Sequence, residues 1–145
     1  MSILTGNAVV ARYRDGRVLK GITRDFAPAK SRFHLFAGGD ETVQAVEIDV
    51  AELKAVFFVK SYEGDPARQD EYDFDAVRGQ GRRVLVTFAD GETVAGYTMG
   101  YAKNKPGFFV IPADDAGNNS RIFILVAATS SIEFRSTGDS LAANA

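Results

Sequence analysis

His34 is the chain's single histidine. A lone imidazole supplies neither a metal site nor a general base with a second group to orient it. Flanked by Phe33 and Leu35, it is expected to point outward from a strand as a solvated or interface side chain. Asp70, Glu71, Asp73 and Asp75 crowd four carboxylates into a short stretch. A calcium loop needs alternating oxygen ligands, a glycine at the sixth place and a closing glutamate, and that order is absent. A solvated acidic linker is expected instead. Gly79-Gln80-Gly81 precedes a strand, so it lacks the helix N-terminus that a dinucleotide phosphate site requires. Asn118-Asn119-Ser120 has the glycosylation spacing but reads as a turn. Without cysteine there are no disulfides, thiolate ligands or cysteine nucleophiles. No catalytic constellation emerges, and the expectation is a non-enzymatic protein with no metal and no cofactor.

Two groups of residues point to binding. Arg12, Arg14, Arg17, Lys20, Arg24, Lys30 and Arg32 gather in the first third of the chain. Of these, Arg12, Arg14, Arg24, Lys30 and Arg32 are the candidates for a surface that meets RNA or an acidic protein. The other group is Phe57-Phe58, which makes both faces of one strand apolar. An exposed edge of that kind is an aggregation hazard, so Phe57 and Phe58 are expected at a contact between domains or subunits. The net charge of −2 and pI near 5.4 weigh against a protein dominated by phosphate contacts.

The elements that carry these residues follow from a repeat. Tyr13-Arg-Asp15-Gly16-Arg-Val-Leu19-Lys-Gly21-Ile-Thr23-Arg-Asp25 returns as Phe88-Ala-Asp90-Gly91-Glu-Thr-Val94-Ala-Gly96-Tyr-Thr98-Met-Gly100, at a spacing of 75 from Asp15 to Asp90. Two copies of one β unit are implied. Val9, Ala11 and Tyr13 alternate with Arg12 and Arg14, and Val84, Val86 and Phe88 alternate likewise, which is strand periodicity. Asp15-Gly16 and Asp90-Gly91 are hairpin turns in which both residues are expected to tolerate positive φ. Gly21 and Gly96 fall in mid-strand, where a sharp bend would require them. Carried through at 75, the spacing sets Ile48 against Phe123, Val50 against Leu125, and Phe57-Phe58 against Ile132-Glu133. Five strands per copy are expected. The divisions are residues 1–59, an acidic linker 60–82, residues 83–134, and a disordered tail 135–145.

This phrase, an apolar strand, Asp-Gly, a mid-strand glycine, then an aromatic and a short apolar strand, resembles the first half of the Sm/LSm motif, which Hfq-type RNA chaperones share. It is also similar to bacterial proteins of unknown function that carry the same tandem phrase and the run Leu53-Lys54-Ala55-Val56-Phe57-Phe58-Val59. The resemblance implies an all-β protein: two tandem five-stranded, strongly bent antiparallel barrels, Sm-like or SH3-like, fused as a pseudo-dimer. Sm proteins have an aspartate where this chain has Ala27 or Ala102, and an asparagine where it has Arg32 or Gly107. No residue is therefore assigned to uridine binding. The leading functional expectation is a scaffold for protein–protein interaction or self-association; the alternative is RNA binding by the first unit. No secretory signal is visible in residues 1–7 and no apolar run is long enough to span a bilayer, so a cytoplasmic location away from membranes is expected.

Overall fold

In the computed structural model, residues 6–37, 44–59, 81–102, 104–113 and 119–135 are described. The acidic residues Asp70 to Asp75, Gly79-Gln80, Asn118 and the residues from 136 lie outside them. The described chain is all β. The first repeat contains β1 (Asn7–Tyr13), β2 (Val18–Thr23), β3 (Arg32–Ala37), β4 (Val46–Asp49) and β5 (Leu53–Val59). The second contains β6 (Arg82–Phe88), β7 (Thr93–Thr98), β8 (Gly107–Pro112), β9 (Asn119–Leu125) and β10 (Thr129–Arg135). A single 3-10 turn joins β4 to β5 at Val50–Glu52, and another joins β9 to β10 at Val126–Ala128.

All ten strands belong to one antiparallel sheet in the order β10-β6-β7-β8-β9-β5-β1-β2-β3-β4. The sheet is open: its end strands, β10 and β4, are not paired with each other. Within each repeat the order is the same, with the fifth strand beside the first and the fourth at the far end. The two halves are joined where β5 of the first repeat pairs with β9 of the second.

In each half the mid-strand glycine marks a close approach of two strands. β1 and β2 pair along six residues, but β2 and β3 pair only through Gly21↔Ala37 and Ile22↔Phe36. A Cβ on Gly21 would collide with the Phe36 carbonyl, and one on Gly96 with the Ile111 carbonyl. Only glycine permits so close a backbone approach.

The hairpins differ from the expected two-residue turn. In the first, the Gly16 N–H donates to the Tyr13 carbonyl, the Tyr13 N–H donates to the Arg17 carbonyl, and only Gly16 has positive φ, at 98°. This is a type I turn closed by a left-handed glycine. Asp15 serves it with its carboxylate, which accepts the Arg17 N–H at 3.0 Å. Asp90 and Gly91 repeat the arrangement, with Glu92 as donor.

The repeat spacing also needs correction. Phe33 pairs with Ile48, whereas Phe108, its counterpart, pairs with Ile124. Val50 and Val126 make the same hydrogen bond, to Ser31 and Pro106 respectively. From the fourth strand onward the spacing is therefore 76, and the second repeat carries one extra residue before β9. Ile48 corresponds to Ile124, Phe57 to Glu133, and Phe58 to Phe134. A one-residue slip exchanges the two faces of a strand, so this correction decides which side chains are equivalent at every edge.

Candidate interaction surface

The seam between the repeats is built from two strands that are each buried on both faces. Register assigns the faces. Val56 and Phe58 pair with Ala11 and Val9 of the first core, and on the other side with Phe123 and Arg121 of β9. Ala55 and Phe57 pair with Ile124 and Ile122, which lie in the second core beside Phe108 and Val110. A strand buried on both faces reads as an unbroken apolar run, and Leu53–Val59 does so apart from Lys54.

Over the first core the seam is closed by aromatic rings. Phe26 contacts Phe33 at 5.2 Å, Phe58 at 5.3 Å and Phe123 at 5.2 Å, all edge to face. Phe109 joins from β8, 5.1 Å from Phe123 and 5.7 Å from Phe58. Edge-to-face pairs at such separations add to the stabilisation from burial. The Arg121 guanidinium lies over Phe58 at 4.3 Å and Phe109 at 4.8 Å. Phe58 is 3% exposed and sits at this junction of the repeats; Phe57 is half-buried, with the Arg12 guanidinium 5.0 Å above its ring.

An ionic group pins the two halves beside the rings. Lys54 Nζ donates to Asp90 at 2.7 Å and to Glu92, and lies 4.6 Å from the Phe88 ring centre. Burial alone would lower the Lys54 pKa, but hydrogen bonds to Asp90 and Glu92 outweigh it and leave the value raised. The same Lys54 hydrogen bond, with that from the Glu92 N–H, holds Asp90 below the usual carboxylate range. The clue in the sequence was a lysine interrupting an apolar strand.

His34 is outward and half-exposed, yet it does have an orienting group. Asp25 Oδ2 lies 2.7 Å from His34 Nδ1, and Asp25 Oδ1 accepts the His34 backbone N–H at 2.9 Å. Burial would raise the Asp25 carboxyl, but the two His34 hydrogen bonds and the Lys30 charge prevail and lower it. Glu47 Oε2 is 3.9 Å from His34 Nε2. The two ring nitrogens point in opposite directions, so Asp25 and Glu47 do not converge on a common cation. Nine residues separate Asp25 from His34, and no local pattern announces the pair.

The candidate basic residues are dispersed. Arg12 is on β1 near the seam, 4.0 Å from Glu92; Arg14 donates to the Ala51 carbonyl beside the 3-10 turn. Arg24 lies 5.2 Å over Phe36, Lys30 is 3.7 Å from Asp25, and Arg32 opens β3 opposite Asp49. Arg17 is engaged by Asp15 and Glu52. Three of the seven cations, Arg12, Arg17 and Lys30, therefore already face carboxylates.

A family model described as "Family of unknown function (DUF6982)" matches residues 5–136, a span that runs through both repeats. The chain belongs to this family. No curated protein and no solved structure matches the chain. Among the described residues no helix is long and apolar enough to cross a membrane.

Proposed function

We propose that this member of the family is a non-enzymatic protein-binding module that accepts an extended segment of a partner protein along a free sheet edge. Each half is read as a bent, barrel-like unit of the Sm-like or SH3-like kind. The observation that carries the proposal is the seam. Inside one chain, β5 docks on β9 edge to edge through Ala55↔Ile124, Val56↔Phe123, Phe57↔Ile122 and Phe58↔Arg121. The same edge-to-edge geometry at β4 or β10 would recognise a partner by strand addition, with backbone hydrogen bonds for affinity and alternate side chains for selectivity. β4 and β10 end the sheet, and each has one edge without a strand beside it among the described residues. The nucleic-acid alternative has less support, since Arg12, Arg17 and Lys30 face carboxylates within 4.0 Å.

Selection of binders from a library of random extended peptides tests this reading, with amide hydrogen exchange on the complex. A bound peptide should slow exchange along β4 or β10. Failure to select any peptide, together with RNA binding that falls steeply with salt, would replace this reading with the nucleic-acid one.

A further inference from the structure

The corrected spacing turns the molecule into an internally controlled experiment. β10 corresponds to β5 and β4 to β9, so the two outer edges are the counterparts of the two edges that meet in the seam. Positions facing a unit's own core are apolar in both settings: Val56 and Ile132, Phe58 and Phe134, Ile122 and Val46, Ile124 and Ile48. Positions facing the neighbouring unit are not. Where the seam has Phe57 and Ala55, β10 has Glu133 and Ser131; where it has Phe123 and Phe109, the outer edge has Glu47 and His34. At these positions the change of chemistry falls on the face that a neighbour would cover.

We propose that β4 and β10 are a matched pair of surfaces for a second copy of this chain, disabled by Glu47 and Glu133, so that strand-to-strand assembly stops at the two units of one molecule. Repeating the seam between two copies would set Glu133 opposite Val46 and Ile132 opposite Glu47. Each carboxylate would then lie over the other copy's apolar core, where taking a charge out of water is strongly unfavourable. Glu47 is 57% exposed as it stands. A head-to-tail contact of this type, once permitted, generates rings or open filaments. Charged residues on edge strands are a known protection against that outcome. This inference does not rest on the peptide-binding reading.

Sedimentation velocity at micromolar concentration tests it. The natural chain should sediment as a 15.7 kDa monomer. Glu47→Phe restores only the β4 side and Glu133→Phe only the β10 side, so each should remain monomeric by itself. An equimolar mixture of the two should form a dimer and stop, because the remaining edges keep their carboxylates. A chain with both substitutions should form larger assemblies. An oligomeric natural chain would overturn the proposal. So would a mixture that stays monomeric while both variants keep the native spectrum, or single variants that associate as strongly as the mixture, which is mere stickiness.

Discussion

The two repeats share a core and differ at their rims. Tyr101 meets Phe108 at 5.1 Å and Phe134 at 5.0 Å, matching the contacts of Phe26 with Phe33 and Phe58 to within a few tenths of an ångström. In the first repeat, two further rings, Phe109 and Phe123, come across the seam to cover Phe26. In the second repeat, Phe134 stays half-buried, and the Arg82 guanidinium lies 4.0 Å over its ring. The same aromatic trio is therefore core in one copy and margin in the other. What differs is the neighbour, so equivalent residues should carry unequal weight.

The largest effect concerns a feature the repeats share. Gly21→Val or Gly96→Val should abolish folding, because the new side chain must displace a strand backbone. A native far-ultraviolet spectrum with a cooperative melt in either variant would disprove the close-approach argument. Next comes the contrast itself. Phe58→Ala should cost about 3–5 kcal/mol in urea unfolding, as for a large side chain removed from a packed site. Phe134→Ala, at the half-buried equivalent, should cost about 1–2 kcal/mol. Equal losses would mean that the seam adds nothing to the aromatic trio.

Lys54 has Ser130 as its counterpart, so β10 has no lysine at the position that pins the seam. Lys54→Met should cost about 1 kcal/mol, because the partners Asp90 and Glu92 are half-exposed and screened. The loss should shrink at high salt, and a double-mutant cycle with Asp90→Asn should recover most of it as coupling.

The smallest effect is on acid stability. Asp25 has Gly100 as its counterpart, so only the first repeat contains this carboxylate. Its pKa is lower folded than unfolded, so the unfolded chain takes up the proton first as pH falls. The stability it contributes is complete above the unfolded value of about 4 and disappears as pH drops through the folded value. Asp25→Asn should therefore flatten the acid limb of a stability–pH curve below about pH 4. An unchanged limb would show that the His34 hydrogen bonds do not favour the ionised form.

Much of this architecture was legible in the residues. The alternation around Tyr13 and Phe88, the Asp-Gly hairpins and the mid-strand glycines define ten strands in two sets, since side-chain period and backbone sterics are local properties. The double apolar face at Phe57-Phe58 also marked β5 as covered on both sides. The register of the second half was not legible. Ile122-Phe123-Ile124-Leu125 is apolar throughout, so no alternation distinguishes a spacing of 75 from 76. The Asp25–His34 and Lys54–Asp90 pairs were hidden because a charge does not announce a partner distant in sequence.

The amino-acid sequence by itself determined an all-β chain of two equivalent units with a glycine inside each second strand, because turn chemistry, alternation and glycine placement act over a few residues. Only the tertiary structure decided that β5 would meet β9, that Glu47 and Glu133 would stand at the two outer edges, and that Phe58 would be core while Phe134 is margin. Those outcomes depend on strand pairing between residues 60 or more positions apart in the chain. Such pairing is selected by the fit of whole edges, each weighed against every other edge the chain could have used.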